Sequence, residues 1–247
     1  MWKKIEPSEK ACHELLSGNR IEVPFEPARD VQVCFPSHLP AKPGLSKVEG
    51  KARLIHDLAS IELQAFELAL RTLSEFPDAP VTFREELAQI AMDEARHLKL
   101  CLESIESYGF NWGDWPVHIG LWQATDQENH LLERILIVHR YLEGSGLDAG
   151  DSLLRRLSGM ADDPILRQVL NVIVDEEIGH VKFGSDWYRE ICKLQKVNEQ
   201  ELFSKQMKLL YKTLPRREKI SRQLRKKAGF TDYEIQVLEM GRLSSIP

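Results

Sequence analysis

The sequence predicts an all-α fold: a four-helix bundle with one long crossover, preceded by an extended N-terminal arm and followed by further C-terminal helices. Three observations carry this. Apolar residues recur at helical spacing in long segments, strand-like alternation is nearly absent, and start or stop signals bracket each segment. At 247 residues the chain suits one large domain with decorated ends. We divide it into an arm at 1–45, a four-helix domain at 46–195 and a basic helical extension at 196–247. Hydrophobic residues at 43% and charged residues at 29% exclude a disordered chain and leave enough for a core.

Pro7, Pro24, Pro27, Pro36, Pro40 and Pro43 are half of the twelve prolines. The arm is therefore expected to be extended, with a short helix near Lys10 to Leu16. Ser46-Lys-Val-Glu49 reads as a capping box that opens the first long helix, with Leu54, Leu58, Ile61, Ala65, Leu68 and Leu73 as its apolar positions, to about Glu75. Phe76-Pro-Asp-Ala-Pro80 is a turn, because two prolines this close cannot continue a helix. A second box, Thr82-Phe-Arg-Glu85, opens the next helix, which Gly109 stops. Residues 109–116 read as a loop, and the third helix is expected from about Ile119 to Glu143, ending at Gly144-Ser-Gly146. A short helix over Ser152 to Leu157, capped by Asp151, comes next. Asp162-Asp163-Pro164 then starts the fourth, which runs to about Lys193.

The N-terminus, Met1 to Pro7, lacks an apolar leader, and no run of about 18 uncharged apolar residues occurs. The expectation is a cytoplasmic protein with no membrane span, monomeric or dimeric. Cys12, Cys34, Cys101 and Cys192 form no Cys-x-x-Cys pair, which excludes a zinc knuckle and a disulfide framework in favour of reduced thiols. Net charge is −5, yet residues 205–227 hold ten basic residues against Glu218 alone, +9 locally and −14 elsewhere.

Two Glu-x-x-His motifs, Glu94/His97 and Glu177/His180, place two potential ligands on one helical face. With 25 Glu and eight His in 247 residues, about 0.8 such motifs are expected by chance, so their number alone means little. Their placement means more. Ile90, Ala91 and Leu98 flank one motif and Ile173, Val174 and Val181 the other, so both face inward. Glu62 lies 13 residues before Glu75, and Glu94 lies 13 residues after Val81. In an antiparallel hairpin both then sit about 20 Å from the turn. The third helix should add one more carboxylate, for which Glu143 is the best candidate and Glu128 and Glu133 are alternatives. One Glu from each of two helices and Glu-x-x-His from the other two is the ligand pattern of two-metal carboxylate bundles. Four carboxylates and two neutral imidazoles match two divalent ions, Fe most of all, with Mn or Zn possible.

Residues 46–56, Ile61 to Leu70, Phe76 to Pro80, Asp93-Glu-Ala-Arg-His97, Pro116 to Trp122, Leu142-Glu-Gly-Ser-Gly-Leu-Asp148, Asp175-Glu-Glu-Ile-Gly-His180 and a late Lys-Ala-Gly-Phe-Thr231 stretch resemble a bacterial ferritin-like family catalogued as a domain of unknown function. The resemblance covers about residues 30 to 235. It implies a four-helix di-metal core and a distant kinship with ferritin-like tRNA hydroxylases. It also implies metal ligands at Glu62, Glu94, His97, Glu143, Glu177 and His180, the six reached by spacing.

The expected function is an O2-dependent di-iron oxidoreductase, a hydroxylase or oxidase acting on a small molecule or modified nucleoside with an electron-donor protein. The alternatives are an iron-handling ferroxidase and a non-catalytic, metal-stabilised binding protein. Asp93, Asp175 and Glu176 read as solvent-facing or as orienting the histidines, His118 and His130 as loop or surface groups, and Tyr141 as a packed tyrosine. The basic segment, with Arg216, Arg217, Lys219, Arg222, Arg225, Lys226 and Lys227, suits a solvated face or an intramolecular clamp more than RNA, since no stacking aromatics accompany it.

Overall fold

Residues 48–75 and 81–107 bury about half of their positions, and among these Ile55, Ala59, Glu62, Ala65 and Ala69 in one and Leu87, Ala91, Glu94, Leu98 and Cys101 in the other keep the three-to-four spacing of an inward helical face. The computed structural model describes residues 7–17, 22–125, 130–159, 163–214 and 219–244. Among them are helices α1 (Pro7–Leu16), α2 (Val48–Glu75), α3 (Val81–Ser107), α4 (Gly120–Gln123), α5 (Leu131–Ile135), α6 (Glu143–Leu157), α7 (Pro164–Gln195), α8 (Glu199–Thr213), α9 (Arg222–Lys227) and α10 (Asp232–Ser244). A π-helical turn, Leu136–Leu142, joins α5 to α6. The fold is all-α: among the described residues the only β pairing is an isolated parallel bridge between Val33 and Val117. No helix among them is long and apolar enough to cross a membrane. The chain divides into two compact units, residues 1–126 with 164–169, and residues 127–163 with 170–247.

In the first unit α2 and α3 form a hairpin whose core includes Ile55, Ala59, Leu68, Leu73, Leu87, Ala91 and Leu98. α1 lies on both helices. There Arg84 donates to Leu15 O, and Cys12 Sγ reaches Ala88 O at 3.9 Å. After α1, residues 22–35 hold no helix. Arg29 forks onto both oxygens of Glu67 at 2.6 and 2.5 Å, and Trp122 Nε1 donates to Phe25 O at 3.1 Å. Buried Gln64 secures α4 by accepting from Leu121 N–H at 3.1 Å and donating to His118 O at 3.0 Å. The loop after α3 is anchored on buried His56, which stacks on Trp112 and accepts from Gly113 N–H at 3.1 Å.

The boundaries differ from expectation in three places. Neither capping box caps: α2 follows Lys47 and α3 follows Pro80, neither with a side-chain cap bond. The helix expected from Ile119 is interrupted after α4, where Thr125 returns its N–H and hydroxyl to Trp122 O at 3.1 and 2.8 Å. The largest difference lies in the second unit, where Gly144-Ser-Gly146 does not end a helix. α6 runs through it to Leu157, and Asp151 is no cap but an α6 residue paired with Arg155 at 2.8 Å. Asp162, expected to help start α7, lies outside the described residues.

Candidate metal centre

Glu62 sits on α2's buried stripe between Ala59 and Ala65, and Glu94 and His97 sit on α3 between Ala91 and Leu98. α2 ends at Glu75 and α3 begins at Val81, so the equal offsets of 13 residues hold. The geometry follows. His97 Nδ1 is 3.2 Å from Glu62 Oε2 and 3.6 Å from Glu94 Oε2. One ligand atom from each residue lies within 4.8 Å of the others. Ligands about 2.0–2.3 Å from one ion are at most about 4.6 Å apart, so small rotations would bring all three onto a single cation.

Glu62, Glu94 and His97 are 4%, 1% and 0% exposed, too little for water to solvate two carboxylates. Burial pushes the Glu62 carboxyl well above its usual range, and the neighbouring charge of Glu94 adds to this. Burial alone would lower the His97 pKa, but hydrogen bonds and charges from Glu62 and Glu94 carry it up to about 11. The Cys101 thiol is pushed up by burial and then by the same two carboxylates.

The second unit supplies Glu177 and His180 on α7, with Glu177 Oε2 3.1 Å from His180 Nδ1 and both residues buried. Glu143 opens α6, is also buried, and directs both oxygens at a histidine that sequence reasoning missed. His139 Nδ1 lies 2.8 Å from Glu143 Oε1 and 2.9 Å from Oε2. His139 is 1% exposed, its Nε2 has no hydrogen-bond partner among the described residues, and its ring packs edge-on against Phe183. The available signal is the i, i+4 spacing of His139 and Glu143, both within the helix expected to run from Ile119 to Glu143.

The alternatives to Glu143 fare differently. Glu133 takes the His130 N–H at 3.4 Å and Gln206 Nε2 at 3.3 Å, so it closes the start of α5. Glu128 lies outside the described residues. Asp93 pairs with Arg96 at 2.8 Å on the surface of α3, and Asp175 is exposed. His118 is half-buried and accepts Gly120 N–H at 3.0 Å, while His130 is exposed. Tyr141 is packed, its hydroxyl donating to Leu214 O and its ring edge-on to Tyr211. Of the basic segment, Arg222 pairs with Glu239 at 2.7 Å, Lys226 with Asp232 at 2.8 Å and Arg225 with Asp148 at 2.7 Å. Arg216 and Arg217 lie outside the described residues. The four cysteines are free.

Fold and site together define an all-helical protein with buried glutamate–histidine groups whose donor set could hold metal. The chain belongs to the DUF455 family, described as a protein of unknown function, whose model matches residues 2–236. It is similar to a Haemophilus influenzae protein that carries the name "Uncharacterized protein", with 30% identity over 195 residues that cover 76% of this chain and 67% of that one.

Proposed function

We propose that this chain is a ferritin-like di-metal protein whose ligands are Glu62, Glu94, His97, Glu143, Glu177 and His180, and that it is an oxygen-dependent oxidoreductase of hydroxylase or oxidase type. α2, α3, the α5-to-α6 helix and α7 are the four bundle helices of this reading. The observation that carries it is the Glu62–Glu94–His97 group, since two carboxylates buried beside one imidazole are costly unless cations neutralise them. The charge count supports two ions, because four carboxylates carry −4 against two divalent cations. The mixed oxygen and nitrogen donors suit Fe or Mn, with Zn as a third choice.

A reduced di-iron pair would supply O2 activation for a small-molecule or modified-nucleoside substrate, with electrons from a donor protein. The chain's own part is to supply the six ligands from helices and to exclude water. Ala59, Ala65, Ala91, Ala95 and Leu98, all buried around the first group, serve that end.

The test begins with elemental analysis of natively expressed protein, for which two metal ions per chain are expected. Fe(II) added to metal-free protein in air should then drive O2 uptake with a new near-ultraviolet band. Failure to bind Fe(II), Mn(II) or Zn(II) would sink the proposal. Binding and O2 uptake accompanied by a shell-sized assembly would favour the iron-handling alternative.

A further inference from the structure

Glu143 is the proposed ligand with the least regular helical context. Its segment leaves α-helical register over Leu136–Leu142 and regains it at Glu143, whose N–H reaches back five residues to Val138 O. A π turn shifts the hydrogen-bond register, and such sites deform readily unless something outside the helix closes them.

Here the outside group is a guanidinium. Arg225 of α9 is 1% exposed, and its Nη1 donates to Arg140 O, inside the π turn, at 3.0 Å. Its Nη2 and Nε bond the Asp148 carboxylate at 2.7 to 3.3 Å. Asp148 Oδ1 also accepts Ser221 N–H at 2.8 Å, which fixes the start of α9. One planar group therefore ties residue 140 to residue 148, across Glu143. The approach depends on Gly144, because a Cβ there would overlap Arg225 Nη1.

The corner after α9 grips the same turn a second time. Gly229, at φ +85°, turns the chain so that Phe230 N–H bonds Arg225 O at 2.9 Å. Phe230 then joins Tyr188 and Phe203 around the Arg140 guanidinium, with ring centroids 4.4, 4.7 and 4.9 Å away. Glu234 Oε1 meets Arg140 Nη2 at 2.8 Å, while its Oε2 closes the capping box of α10 on Thr231 N–H at 2.8 Å.

We infer that Arg225 is a positioning residue: through Arg140 O and Asp148 it holds the π turn in the register that presents Glu143 as a ligand, and Gly144 is there to admit it. The inference rests on the proposed ligand role of Glu143.

The test uses the full chain and three variants. Arg225→Met removes the polar head, Gly144→Ala displaces the guanidinium without removing it, and Arg225→Lys keeps the charge but cannot span both partners. Arg222→Met, on the exposed side of α9, is the control. Amide hydrogen exchange in the metal-free state should rise by about tenfold or more at residues 143–147 in each of the three while α2 and α3 stay protected. Co(II) titration should fall from two equivalents to one, with a changed visible spectrum. Arg222→Met should alter neither readout. If Arg225→Met does not fold, Gly144→Ala and Arg225→Lys decide alone. Unchanged exchange at 143–147, or two equivalents with the parental spectrum, overturns the inference and leaves the di-metal proposal standing. A parent that binds no Co(II) overturns both, and that result is read from the parent alone.

Discussion

Raising the pH from about 6 to about 8 is expected to tighten divalent-metal binding at Glu62, Glu94 and His97 far more steeply than at an exposed carboxylate site. Burial would lower the His97 pKa, but Glu62 and Glu94 carry it to about 11, so the metal-free imidazole is protonated at neutral pH. Burial also holds Glu62 well above its usual range, with the charge of Glu94 adding to the effect. The sign follows: the metal-free state holds these protons tightly, and a cation must displace them, so affinity falls with falling pH. Each displaced proton steepens the dependence by about tenfold per pH unit, giving about 100-fold over two units for one proton and about 10⁴-fold for two. Calorimetric titration with Mn(II) in two buffers of different ionisation enthalpy, at one pH, counts the protons directly. Equal heats in both buffers, with an affinity flat across this range, would refute the reasoning. Glu62→Gln removes a titrating carboxyl and keeps only a neutral hydrogen-bond partner for the His97 ring, and should lower both the proton count and the affinity, by about tenfold or more.

His56 gives a separate pH effect. Burial, and then the charge of Arg53, lower its pKa to about 4. An unfolded histidine titrates near 6.5, so the unfolded state takes the proton first and stability is lost as pH falls from there, by about 2 kcal/mol at pH 5. Urea midpoints at both ends of that range check this, and a parent no more acid-sensitive than His56→Gln speaks against it. Phe230→Ala should cost about 3–5 kcal/mol of stability, because Phe230 is 4% exposed and lies against both Arg140 and Arg225; a denaturant shift of under about 1 kcal/mol would show the corner to be slack. His180→Ala should leave one metal ion bound per chain by elemental analysis, with retention of both arguing against His180 as a ligand.

Helix ends set by backbone chemistry are legible in the sequence. Pro77 and Pro80 cannot continue a helix, and α2 stops at Glu75 while α3 starts at Val81. Gly109 takes φ +81°, the left-handed conformation that closes a helix. Gly144 has the same letter and the opposite meaning, since its lack of a Cβ serves an arriving guanidinium and the helix continues. Nothing near residue 144 announces a partner at residue 225. Ser46 and Thr82 misled in a milder way, for a cap is a competition among neighbours, and Lys47 and Pro80 occupy the cap positions instead.

The same division runs through the site. Glu62, Glu94 and His97 could be found by counting outward from one turn, because in a straight hairpin sequence offset is height. His139 was within reach through its i, i+4 spacing to Glu143, whereas Arg225 required a contact across 77 residues to Asp148. Yet the basic run held a usable signal. Ser221, Arg225 and Ala228 are all buried, at 7%, 1% and 0% exposure, whereas Lys226 and Lys227 between them are exposed. That is the i, i+4, i+7 stripe of an inward helical face, followed at once by buried Phe230. An arginine on such a stripe, beside small residues and ahead of a glycine–aromatic pair, marks a buried anion to be sought elsewhere in the chain. Read by summed charge, the segment looks like a surface for an outside partner; read by periodicity, its central arginine belongs to the core.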